Sequence, residues 1–183
     1  MAVEPAVPHP KAPAPGTELG VHFSECFGCG DEADAGLHLR STVGEGQVIH
    51  SRFTVTAAHQ GAPGLAHGGL LACAFDEALG STVGNLMRRP AVTGKLETDF
   101  RRPVPVGSTL FIEARLDGIA GRKVYASAEG RLNAPDGPVA LRARALFVTV
   151  EFSHFIEHGR QEDLRAVAAD PDLLRERRFD INP

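Results

Sequence analysis

The sequence predicts an α+β domain in which an antiparallel sheet wraps around one central helix. Three observations lead there. Apolar and polar side chains alternate with a two-residue period in five separate stretches, one long run is apolar at helical spacing, and short turn-rich links join the later alternating stretches.

In chain order, five of the 13 prolines fall within the first 15 residues, so residues 1–20 are expected to form a disordered or extended arm with little to bury. Ile49, Phe53 and Val55 then alternate with His50, Arg52 and Thr54, the pattern of a half-buried strand. From Gly68 to about Met87 the segment GGLLACAFDEALGSTVGNLM is apolar nearly all round in its middle, which belongs inside a protein. Val92, Leu96 and Phe100 mark a further strand, followed by Leu110–Leu116, Val124–Ala128 and Val139–Phe147. Pro103 to Gly107, Asp117-Gly118 with Gly121, and Asn133 to Pro138 supply the turns between them. The core domain is therefore placed at 21–153, and 154–183 reads as a charged helical tail.

A chain of 183 residues with 43% hydrophobic content can bury roughly 70% of its unfolded surface, enough for stability without disulfides or metal. A net charge of -4 and a pI near 6.0 argue against nucleic acid or an anionic membrane as the main partner. Three cysteines make no disulfide framework, and the N-terminus lacks the basic start and apolar core of a signal peptide, so a cytoplasmic location is expected.

The stretch His59 to Glu77, HQGAPGLAHGGLLACAFDE, carries the chemistry. Four glycines and Pro63 lead into the apolar helix, and with no side chain at Gly68 or Gly69 a ligand oxygen can reach the free N–H groups of a helix start. That is the geometry of an oxyanion hole, although glycines here also suit a loop that merely passes close to the sheet. Asp76 lies two turns beyond Gly69 on the same face, in a stripe of small residues with Ala72, Cys73 and Gly80. A carboxylate there is costly unless paired or used. Glu77, on the face of Leu70, Ala74 and Ser81, reads as a solvated or salt-bridged acid. His67 is expected to fix the loop, with ligand contact second. Cys73 reads as core, and no serine elbow or Cys/His pair supports covalent catalysis. Cys26 and Cys29 form a CxxC flanked by His22 and His38, residue types that suit zinc, but the glycine-rich run equally suits a buried turn; no metal and no cofactor are expected.

These motifs together resemble the hotdog-fold acyl-CoA thioesterases, in particular the PaaI-like group of the thioesterase superfamily. The resemblance rests on His59 to Gly64, Ala66-His67-Gly68-Gly69, Asp76-Glu77, and Thr93 in a strand ending Asp99 to Pro105. It implies five to six strands around the helix, and a homodimer or homotetramer with sites shared between subunits. The substrate it implies is acyl-CoA, cleaved to free acid and CoA. The Gly68 amide would polarise the thioester carbonyl, Asp76 would act as base or nucleophile, and Thr93 and His67 would position. His59, Gln60, Gly61 and Gly69 are the expected substrate-binding set; many relatives carry asparagine where this chain has Gly61, and His59 or Gln60 would stand in. A non-catalytic acyl-CoA-binding or regulatory protein of the same fold is the alternative.

Overall fold

The computed structural model of the chain describes residues 2–169. In chain order the elements are β1 (Glu18–Leu19), β2 (Arg40–Val43), β3 (Val48–Thr54), β4 (Gln60–Ala62), β5 (Leu65–Ala66), α1 (Gly68–Met87), β6 (Ala91–Phe100), β7 (Thr109–Ala120), β8 (Lys123–Leu132), β9 (Val139–Thr149), α2 (Ser153–His158) and α3 (Gln161–Ala169). Seven strands form one antiparallel sheet in the order β1-β2-β3-β7-β8-β9-β6, and β4 pairs with β5 in a small ribbon. The helix carries the chain from β3 across the sheet to its far edge at β6.

The helix buries Leu71, Ala74, Phe75, Ala78, Leu79, Thr82, Val83, Leu86 and Met87, a run at three- and four-residue spacing that defines one face. That face packs on inward residues of the sheet, among them Leu110, Ile112, Val124, Ala126 and Leu141. Phe75 is fully buried, which removes roughly 1.5–3 kcal/mol worth of apolar surface from water. Room for its ring comes from Gly130 on β8, where a Cβ would lie 2.7 Å from Phe75 Cζ.

The sheet exceeds the expected five to six strands because the arm adds the two-residue β1 and because β2 does not read as apolar. Its inward positions are Ser41 and Val43, and Ser41 is paired with Ser51 of β3 through a buried hydroxyl–hydroxyl bond of 2.7 Å. The satisfied pair replaces the hydrophobic residues on which a periodicity reading depends.

Of the two expectations for the arm, the extended one describes residues 4–16: Glu4 exchanges both backbone bonds with Ile119, His9 N–H donates to Leu86 O, and Gly16 N–H donates to Val43 O. The bond from His9 satisfies a carbonyl in the last turn of α1, which would otherwise lack an intrahelical donor. On β6, Val92 and Leu96 do not share a face. The register shifts between Thr93 and Lys95, so Thr93, opposite the buried Phe147, and Leu96, opposite the buried Ala145, both face the helix. Val92, opposite Val148, faces out. The charged tail begins with α2 and α3, where Arg160 pairs with Asp163; its remainder lies outside the described residues.

Gly130→Ala is expected to lower stability by about 1–3 kcal/mol, because the added methyl would overlap the fully buried Phe75 ring. Thermal unfolding of the variant against wild type measures it; an unchanged midpoint would show that the ring can move.

Candidate active site

The loop before α1 is built around two histidines. His59 is buried, its ring meets Phe53 edge-on, Nδ1 accepts from Thr56 N–H at 3.1 Å, and its carbonyl accepts from His67 N–H at 2.8 Å. These contacts hold the loop together. Gln60 is likewise turned inward along its own loop, its amide donating to Ala57 O at 3.0 Å and accepting from Gly64 N–H at 2.8 Å. Gly61 is required by space: a Cβ there would stand 2.7 Å from the His67 Cα.

His67 is the N-cap of α1. It has extended backbone angles, φ -69 and ψ 132, and its Nδ1 accepts from Gly69 N–H at 3.0 Å. With Nδ1 as acceptor, the neutral ring carries its proton on Nε2. The two glycines therefore differ. Gly69 N–H is occupied by the cap, which corrects the expectation that both amides are open, whereas among the described residues no acceptor is recorded for Gly68 N–H. Beside it lies Phe100 at the end of β6, an aromatic side chain left 52% exposed, whose ring would be 3.5 Å from a Cβ at Gly68.

Two turns along the helix, Asp76 is half-buried, and the Thr93 hydroxyl donates to its Oδ1 at 2.8 Å. Burial raises the Asp76 carboxyl above the ordinary aspartate value, the Thr93 bond pulls it back, and the Glu77 charge raises it again. The β6 bulge at Gly94 is what aims Thr93 at this acid. Small neighbours on the same stripe, Ala72, Cys73 and Gly80, leave that side of the helix only half covered. Burial, then the Asp76 charge, pushes the Cys73 thiol up to about 11, so it is not a nucleophile near neutrality.

Residues 63–135, which span the end of this loop after Gly61, the helix, β6, β7 and β8, match the family model described as the thioesterase superfamily. Acyl-coenzyme A thioesterase THEM4 of Bos taurus is 37% identical over 92 residues, covering 50% of this chain and 37% of that protein. The Xenopus laevis protein of the same name is 33% identical over 89 residues, 49% and 39% of the respective lengths. Among solved structures, a thioesterase superfamily protein aligns with a TM-score of 0.61 at 26% identity, over 75% of this chain and 70% of its own. The fold is the hotdog fold, and residues 63–135 are similar to the thioesterase superfamily. The E. coli PaaI protein from the phenylacetic acid degradation operon shares the fold, with a TM-score of 0.58 at 20% identity over 66% of this chain and 86% of its own. The chain spans about two-fifths of the length of the curated relatives it matches.

The matched region leaves out the loop between β1 and β2, where the structure departs from the sequence reading. Of the two readings of Glu77, solvated or salt-bridged, the structure shows the second, with partners that helix spacing did not give. The Glu77 side chain is 15% exposed and meets His22 Nδ1 at 3.3 Å and Cys26 Sγ at 3.6 Å. Burial pushes its carboxyl up to about 7. The periodicity of α1 identified the face on which Glu77 lies but not the loop that covers it, since 51 residues separate Cys26 from Glu77. Among the described residues no helix is long and apolar enough to cross a membrane.

His67→Ala is expected to cost about 0.5–2 kcal/mol, the usual worth of an N-cap. Gly61→Ala displaces the same histidine, so the double variant should lose much less than the two single losses added together. Chemical denaturation of the three variants tests this; additive losses would mean that Gly61 does not act through His67.

Proposed function

We propose that the domain hydrolyses acyl-CoA thioesters to free acid and CoA, at sites assembled from two copies of the chain. The observation that carries this reading is the spacing on α1. Gly68 and Asp76 are eight residues apart on one helix, so their backbone positions are separated by about 12 Å along its axis. An oxyanion donor and a general base must each lie within about 3 Å of the atoms they serve, so one thioester cannot use both groups of a single copy. Gly68 from one copy and Asp76 from a second resolve the distance. β6 supports the pairing, because it is an edge strand with a sheet partner on one side only among the described residues. The half-covered stripe around Asp76 leaves room for acyl chain or partner.

In this mechanism the thioester carbonyl oxygen accepts from Gly68 N–H at the positive end of the helix. A water held against Asp76 gives its proton to the carboxylate as its oxygen attacks the carbonyl carbon. Thr93 donates to Oδ1, which leaves Oδ2 to take that proton and the hydroxyl lone pairs to orient the water. The tetrahedral intermediate collapses with cleavage of the C–S bond, and the departing CoA thiolate takes the proton from Asp76. His67 acts by holding Gly69 and hence the direction of the Gly68 amide. The relatives named as acyl-coenzyme A thioesterases supply the substrate class, and a reducing cytoplasm suits the three free thiols.

Incubation with a panel of acyl-CoAs and a thiol reagent tests the activity, and tight binding without thiol release would favour the non-catalytic alternative. Asp76→Asn should lower turnover by roughly 10² to 10⁴-fold with assembly intact. Retention within tenfold, about 1.4 kcal/mol of barrier, would remove Asp76 from the mechanism. Light scattering of wild type at micromolar concentration should give at least a dimer; an active monomer would defeat the shared site.

A further inference from the structure

We propose that His22, Cys26, Cys29 and Glu77 bind a zinc ion that clamps the loop between β1 and β2 to the central helix. His22 Nδ1, the two Sγ atoms and a Glu77 carboxylate oxygen all lie within 4.8 Å of one another. His22 Nδ1 is 3.1 Å from Cys29 Sγ and 3.3 Å from Glu77 Oε1, and Cys26 Sγ is 3.6 Å from Glu77 Oε2. A tetrahedral zinc with bonds of about 2.0–2.3 Å sets its ligands about 3.3–3.8 Å apart, so these atoms already stand near the corners of such a site.

The surroundings are built to keep them there. Gly28 faces Glu77 so closely that a Cβ would lie 2.4 Å from Oε2, and Gly28 N–H donates to Cys26 Sγ at 3.3 Å, a bond that supports a thiolate. Arg40 donates to the Cys29 carbonyl at 2.8 Å, and Leu37 and Leu39 N–H groups bond to the carbonyls of Phe27 and Gly28. His38, the other histidine near the CxxC, is not part of the set, because its ring is bonded to Gly30 O at 2.8 Å. Cys29 is buried and Glu77 nearly so, while His22 is 46% exposed and leaves an edge by which an ion can enter.

The donor set decides the ion. Two thiolates with an imidazole suit zinc and are foreign to calcium and magnesium, which take oxygen. Binding releases the thiol protons, and the dication offsets the thiolate and carboxylate charges gathered beside the helix. Four protein ligands fill the tetrahedron and leave no position for water, so the zinc holds structure and does not hydrolyse. Glu77 is its long-range ligand: it joins the loop to the helix that carries Asp76 on its other side.

The test uses the full chain without a histidine tag, expressed with zinc and purified without chelator. Elemental analysis should find close to one zinc per chain, and the stripped protein refilled with Co(II) should show thiolate-to-cobalt charge-transfer absorption. Cys29→Ser should abolish that band. His22→Ala, at the exposed edge where folding is least disturbed, should weaken zinc binding by more than about a hundredfold in a competitive chelator titration. Purified protein with no zinc and no cobalt band overturns the proposal. So does unchanged zinc affinity in both variants, or thiol counting in fresh lysate that finds Cys26 and Cys29 joined as a disulfide. None of these readouts uses thioester cleavage, so failure here leaves the proposed activity standing, and the reverse.

Discussion

A carboxylate on a helix packed against a sheet must be given a partner, and α1 carries two in succession. Consecutive helical positions point about 100° apart, so Asp76 and Glu77 cannot share a solution. Asp76 turns to the edge of the sheet and meets a hydroxyl from the strand that follows the helix. Glu77 turns the other way and meets a histidine and a thiol from the loop between β1 and β2. Both acids thus recruit segments distant in sequence, and the positions of β6 and of the cysteine loop relative to α1 follow from that need.

The loop at the start of the helix solves a different problem with the same economy. A helix start leaves amides without intrahelical partners, and here one is satisfied internally by His67 while its neighbour at Gly68 is left open. The division depends on Gly61, which is small enough for the His67 backbone to pass. His59 and Gln60 spend their polar atoms on the same loop, so much of the polar chemistry of this segment goes into shaping one open amide.

What was legible in the sequence was what burial alone dictates. The apolar run fixed the helix at Gly68–Met87, and alternation found the long strands because their inward residues are hydrophobic. The pairing of His67 with a helix start, and the neighbourhood of Asp76 among small residues, were also readable, since both are local. Three features were not. β2 is hidden because Ser41 and Ser51 satisfy each other in place of an apolar contact. The docked arm is held by backbone bonds, which leave no mark on side-chain patterning. The fate of Glu77 is set by a partner 51 residues away, which spacing on a helix cannot reveal.

The bulge at Gly94 makes β6 a counting device. Upstream of it odd-numbered Thr93 faces the helix, and downstream even-numbered Leu96 does, so the strand changes parity at a single inserted residue. Side-chain substitutions around the bulge leave this parity intact. A one-residue deletion or insertion between Thr93 and Leu96 does not: it either turns the hydroxyl away from Asp76 or turns every later position, including Phe100 beside Gly68, to the opposite face. A change of length in this segment is therefore felt at two points of the helix at once, its first residue Gly68 and its middle at Asp76, through a strand that covalently contains neither of them.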